Sequence, residues 1–502
     1  MEGKKIDWAI TLVPLGCILA LSALFLLFPE GSREALGQIR FLLGDTLGVY
    51  YLVLGLGIFL LSLYAAFSRY GDIVLGQPGE RPQYSFFTWG SMMFTAGLAA
   101  DILFYSFSEW ILYAVDPHIA QLGSVQDWAG VFPLFHWSLI PWGFYLMLAA
   151  AFGFMLHVRR RERQRYSEAC RPILGAGADG LPGRIIDLLA VFALLAGTAT
   201  TFSLATPLMA GILDELFRLP LSREAVTVLI LLVTCAVYTF SLLRGFRGIS
   251  LLAKSCIYLF FALLAYVLLL GGETRYIIET GFESLGRMVQ HFFELATFTD
   301  PARASSFPQN WTIFYWSYWM VWCVAAPFFI GSISRGRTVQ QTILGGYGFG
   351  VGSTIVSFIV LGGHSMGRQV SGASDFIAQY RETGDLYALI ISMIRTLPGA
   401  RLVLALVLVT MAAFYATSFD SIALIASCYS CRRLDPDQSP PWGIKLMWCL
   451  LLIALPVALV FSESSMSSLQ SVSIIAALPI GAVIALITAG FFKDAGDYLD
   501  RP

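Results

Sequence analysis

Residues 8–28 read Trp8-Ala9-Ile10-Thr11-Leu12-Val13-Pro14-Leu15-Gly16-Cys17-Ile18-Leu19-Ala20-Leu21-Ser22-Ala23-Leu24-Phe25-Leu26-Leu27-Phe28, with no charge in the run. A helix needs about 20 predominantly apolar residues to cross the hydrocarbon core of a bilayer. A signal-peptide core is shorter, roughly 7 to 15 residues, and ends at a small-residue cleavage site that this run lacks. The stretch therefore predicts a retained membrane helix. Comparable runs begin near residues 48, 87, 130, 184, 224, 248, 310, 340, 400, 442 and 468. With the first run they predict an all-α polytopic membrane protein of about twelve transmembrane helices.

Composition points the same way. Of the 502 residues, 57% are hydrophobic and 13% charged, against about 25% charged in soluble domains, and the mean hydropathy is +0.71. A net charge of −1 implies neither nucleic acid nor an acidic partner. Among the cysteines only Cys428 and Cys431 make a CxxC, and no paired ligand clusters of the zinc type occur. The histidines, His118, His136, His157, His291 and His364, are dispersed. Neither an enzyme, a resident metal nor a cofactor is expected.

Orientation follows from the arginines, because short cytoplasmic loops are rich in Lys and Arg. With Lys4 and Lys5 inside, the loops after even-numbered spans hold Arg69 and Arg81, then Arg159, Arg160, Arg161, Arg163 and Arg165, then Arg244 and Arg247, then Arg335 and Arg337, then Arg432 and Arg433. All fall on one side, so both termini are expected in the cytoplasm. The stretches Glu273 to Asn310 and Gly372 to Pro398 read as amphipathic segments on the outer surface. The expected division is residues 1–80 as two N-terminal helices, 81–272, 273–309 as a surface helix and connection, and 310–502.

Four intramembrane stretches carry chemistry. Phe314-Tyr315-Trp316-Ser317-Tyr318-Trp319-Met320-Val321-Trp322 is aromatic within a span, with Tyr315, Tyr318 and Trp322 on one helix face. A second cluster is His136-Trp137 with Pro141-Trp142-Gly143-Phe144-Tyr145, where Pro141 disturbs the helix. A tetramethylammonium-like head has no hydrogen-bond donor and is best held by several ring faces. An aromatic belt or plain packing is the competing reading. The third stretch runs from Met93-Phe94 through Gly97 to Glu109 and places Asp101 and Glu109 in an apolar run, where an unpaired charge costs about 2.5 to 3.5 kcal/mol. Asp101 is the better candidate for a substrate or proton site, and Glu109 reads more readily as structural. In the fourth, Thr417, Ser418, Asp420 and Ser421 offer either oxygens to an alkali cation or interhelical hydrogen bonds.

At these residues the chain resembles the betaine/choline/carnitine transporter family over nearly its whole length. The signature is Trp311-Thr312-Ile313-Phe314-Tyr315-Trp316 through Trp319, closing in Ile333-Ser334-Arg335-Gly336-Arg337-Thr338, joined by Leu134-Phe135-His136-Trp137 with Pro141-Trp142. The resemblance implies a leucine-transporter-like fold, with two inverted repeats of five helices after two extra helices, in a homotrimer in the plasma membrane. It implies secondary active transport of a small quaternary-ammonium compound by alternating access, with an ion-coupled carrier of an amino acid or other zwitterion as the alternative. Trp137, Trp142, Tyr145, Tyr318, Trp319 and Trp322 carry over as the cage, with Gly97 and Asp101 beside it. Thr417 and Ser418 match the sodium pair of the family's sodium-coupled members, so the resemblance leaves sodium coupling, proton coupling and substrate exchange as the alternatives. Two departures bear on the substrate. Asp101 stands where betaine carriers have a glycine-rich stretch, as in choline-type members. Ala325 and Ala326 replace polar and sulfur-bearing side chains of the carnitine exchangers, whose arginine aligns near Ala253 and Lys254.

Overall fold

The computed structural model describes residues 6–96, 100–161, 163–244, 246–432, 440–461 and 466–500. Among the described residues the regular structure is helical, with no strand. Trp8–Leu27 (α1) and Val49–Phe67 (α2) come first, followed by Phe86–Ala96 (α3) and Ala100–Ala114 (α4). Val131–His136 (α5) leads into Leu139–Gly153 (α6), and Leu181–Phe217 (α7), Arg223–Arg244 (α8), Phe246–Leu270 (α9) and Thr274–Gln290 (α10) follow. The second half holds Ile313–Trp322 (α11), Ala326–Ile333 (α12), the long span Val339–Val370 (α13), Leu386–Arg395 (α14), Ala400–Tyr429 (α15), Trp442–Phe461 (α16) and Met466–Leu499 (α17).

Seven helices among the described residues are long and apolar enough to cross a membrane alone, and two bent pairs bring that to nine if each is one span. Arg223–Arg244 and Ala400–Tyr429 are long helices too, but side chains within them lie outside what the structure describes, so the nine spans are a count of the described residues alone. Both bends have local causes. α9 and α10 meet at 111° through Gly271 and Gly272, the latter at φ +85°, a backbone region open to glycine at little cost. The α11–α12 pair, at 55°, breaks before Pro327, which lacks an amide hydrogen and disfavours helix in the residue ahead of it.

Small residues set the closest packing. α6 lies against α2 and α12, where a methyl group on Gly331 would stand 2.8 Å from the Gly153 nitrogen. Beside this contact Phe152 and Phe328 stack with centroids 3.8 Å apart. Backbones meet this way in membranes, where close van der Waals contact replaces the hydrophobic drive between helices. α7 packs on α8, α15, α16 and α17, forming a second group. Leu12, Leu19, Leu26, Val53 and Phe67 on α1 and α2 are exposed, as lipid-facing side chains are.

The arginine-bearing loops gather at one end. Arg335 pairs with Glu80 at 2.6 Å, Arg159 with Asp494 at 2.8 Å and Arg69 with Asp500 at 2.8 Å. Val74 bridges to Thr338 and Ile6 to Cys431. The side chains of Arg244 and Arg247, and all of Arg433, lie outside what the structure describes.

Candidate substrate-binding site

Trp319 is the centre of the aromatic cluster. Its ring lies 4.8 Å from Tyr145, 5.7 Å from Trp137 and 5.8 Å from Trp142, each tilted or edge-on. Trp142 and Tyr145 are 5.6 Å apart. α6 supplies Trp142 and Tyr145, the residue between α5 and α6 supplies Trp137, and α11 supplies Trp319. All four are buried. A cation binds within about 6 Å of a ring centroid, over its face. Rings this close to one another leave no room for a trimethylammonium head between them, so the cluster stands closed.

α4 lines the cluster with acids and phenols four residues apart: Asp101, Tyr105, Glu109 and Tyr113. The Tyr318 hydroxyl donates to Asp101 Oδ2 and also meets Thr201 of α7. Trp137 Nε1 donates to Glu109 Oε2 at 2.7 Å, and the Tyr113 hydroxyl donates to Glu109 Oε1 at 2.5 Å. Tyr113 also lies 2.7 Å from His136 Nδ1, whose Nε2 is 3.0 Å from Thr312 Oγ1. Among the described residues neither acid has a cationic side chain at ion-pair distance; their partners are hydroxyl, indole and backbone donors. Three buried polar atoms of the cluster have no partner: Trp142 Nε1, Trp319 Nε1 and the Tyr105 hydroxyl.

The expected residues separate into two neighbouring groups. Trp137, Trp142, Tyr145 and Trp319 form the closed cluster. Tyr318 points instead at Asp101 and stacks on Phe314, 5.5 Å away. Trp322 lines a small pocket with Thr198, Thr201, Tyr415, Phe419 and Ser418. The split follows from the helix: Tyr318 and Trp322 share a face, whereas Trp319 is turned about 100° from Tyr318. Gly97 lies outside the described residues, as do the side chains of Thr417, Asp420, Ser421, Ala253 and Lys254.

Tyr105 was not among the expected site residues, yet its ring is 5.4 Å from Trp137 and 5.8 Å from Tyr315. Its spacing from Asp101, one helical turn on, is the signal that marks it. Phe358, 5.2 Å from Trp137, carries no such signal, because α13 reaches the cluster only through tertiary packing.

Comparison with known proteins places this arrangement. The family model described as "betaine/carnitine/choline family transporter" matches residues 9–498. The chain is 27% identical to a high-affinity choline transport protein of Escherichia coli, over 98% of this chain and 72% of that one. It is 28% identical to a glycine betaine transporter of Bacillus subtilis, over 93% and 90% respectively. With a carnitine transporter of Acinetobacter baumannii it shares 25%, over 85% and 78%. Since the match spans both the aromatic cluster and nearly all of the helical frame around it, the chain belongs to the betaine/carnitine/choline family of transporters.

Proposed function

We propose that the protein carries a cationic quaternary-ammonium compound of the choline kind, caged by Trp137, Trp142, Tyr145 and Trp319, with Asp101 as its counter-charge. The observation that carries this reading is the pair of buried acids on α4, Asp101 and Glu109, bonded only to uncharged groups. A net cation gives Asp101 the counter-charge that its uncharged partners do not supply, whereas a zwitterion brings its own carboxylate towards it. Tyr318 and Trp322 belong to the site's edge, and Gly97 is assigned to substrate binding from the sequence alone. The head enters when the closed rings part, and rocking of 81–272 against 310–502, the two inverted repeats, exposes the site to each side in turn.

The second reading is a zwitterion such as glycine betaine, taken up with a proton on Asp101. The three unpartnered donors, Trp142 Nε1, Trp319 Nε1 and the Tyr105 hydroxyl, favour it, because a carboxylate could accept from them. Choline and glycine betaine binding to wild type and to Asp101→Asn, across roughly two pH units either side of neutral, separates the two. The first reading expects choline affinity to fall in the variant. The second expects betaine binding to lose its pH dependence. Identical curves for both proteins with both ligands would reduce Asp101 to a structural residue.

For the coupling ion we assign sodium to Thr417 and Ser418, with the proton on Asp101 as the alternative. Ser418 shares its pocket with the hydroxyl-bearing Thr198 and Thr201 of α7, a donor chemistry that suits a hard cation. The end where the arginine loops meet is assigned to the cytoplasm, with both termini, and the protein to the plasma membrane as a homotrimer.

A further inference from the structure

The loop after α6 carries two adjacent side chains that reach into different parts of the frame. Arg165 is buried at the arginine-rich end. Its Nη2 donates to the carbonyls of Tyr429, at 2.8 Å, and Cys431, at 2.6 Å, in the last turn of α15 and just past it. Its Nη1 lies 3.3 Å from Asp187 Oδ2 on α7 and 3.6 Å from Asp7 Oδ2. Ser167 adds two hydrogen bonds to Asp187, from its backbone nitrogen at 3.0 Å and its hydroxyl at 2.9 Å. α7 and α15 pack on each other, so Arg165 fastens the loop to one packed group.

Tyr166 faces the other way. Its hydroxyl donates to the Cys323 carbonyl at 2.5 Å, in the break between α11 and α12. In a continuous helix that carbonyl would accept from the amide four residues on. Here that residue is Pro327, which has no amide hydrogen. The Tyr166 ring is fully buried, 5.3 Å from Phe152 and 6.2 Å from Phe328. α12 packs on α6, outside the α7–α15 group.

We propose that Tyr166 is a positioning residue for transport: its hydroxyl on the Cys323 carbonyl closes the break in the aromatic span, and opening the site towards the arginine-rich end requires that bond to part. Arg165 is the fixed foot and Tyr166 the releasable tie. The tie suits switching, because water entering an opened path replaces the hydroxyl on the carbonyl at small net cost. In the closed state no water reaches either group and the bond stays made. The inference rests on alternating access as read above but not on the identity of the substrate.

Cys323, itself fully buried, reports on the tie. In full-length protein whose other cysteines are replaced, a membrane-impermeant maleimide is applied in inside-out vesicles without substrate. Tyr166→Phe keeps the ring and loses the hydroxyl. It should speed Cys323 labelling about 2- to 12-fold, the range that one hydrogen bond allows. Choline should also bind more weakly from the opposite face while maximal uptake persists. Tyr166→Leu should show the same acceleration. Both variants are compared with wild type at equal folded fraction by size exclusion. Labelling of Tyr166→Phe that is unchanged or slower overturns the proposal. So does acceleration in Tyr166→Leu alone, which would assign the effect to ring packing. Because labelling needs no substrate, a wrong substrate assignment would alter the binding results and leave the labelling intact.

Discussion

Around Trp319 four rings meet and two indole N–H groups find no acceptor, whereas Arg165 places its guanidinium against two carbonyls and two carboxylates. Both regions are buried and both are closed, by different means. The aromatic cluster is held by non-directional contact and short of hydrogen bonds, so its rings can part and repack around a cation. The arginine foot is held by directional bonds whose loss leaves buried charges and carbonyls unpaired. The first arrangement makes a site that opens. The second makes a frame against which it opens.

On this contrast, substitutions in the two regions divide between stability and binding. Arg165→Ala should have the largest effect, lowering stability by about 3 to 5 kcal/mol because Asp187 and Asp7 lose their buried cationic partner. Thermal unfolding in detergent checks this, and a loss below that of any ring variant would break the comparison. Trp319→Leu should retain the fold and weaken choline binding by roughly 0.5 to 2 kcal/mol for the lost ring face, read by tryptophan fluorescence titration. Unchanged affinity would show that the cage lies elsewhere. Glu109→Gln should act more mildly, costing about 1 kcal/mol of binding, because the amide keeps one acceptor oxygen where the carboxyl offers two, to the Trp137 indole and the Tyr113 hydroxyl. Equal affinity by the same titration would make Glu109 a packing residue. Ser418→Ala should be the smallest change. It should raise the sodium concentration needed for half-maximal choline uptake, with choline affinity at saturating sodium preserved, and uptake equally fast in sodium-free potassium buffer would remove that site.

Much of the frame was legible because lipid imposes it. A run such as 8–28 has few options in a bilayer, and arginines sort the loops whatever the side chains between them do. The gathering of Trp137, Trp142 and Tyr145 with Trp319, from two motifs far apart in the sequence, was carried by the family resemblance of those motifs. What was not legible came from direction and distance. Tyr318 and Trp322 lie in the same aromatic run as Trp319 but one helix face away, so one turns to Asp101 and the other to Ser418. Tyr166 and Cys323 lie 157 positions apart, and tertiary packing rather than any motif brings them together. Pro327 was visible in the sequence, but which group would take the carbonyl it frees was not.

The contact between Gly153 and Gly331 acts as a rivet in a lever. With two backbones touching and Phe152 stacked on Phe328, α6 and α12 have no side-chain layer in which to slip, so they turn as one arm. That arm carries Trp142 and Tyr145 on one side of the break at Cys323, while Trp319 rides on α11 on the other. A change in the 55° angle between α11 and α12 is therefore geared directly into the spacing of the rings.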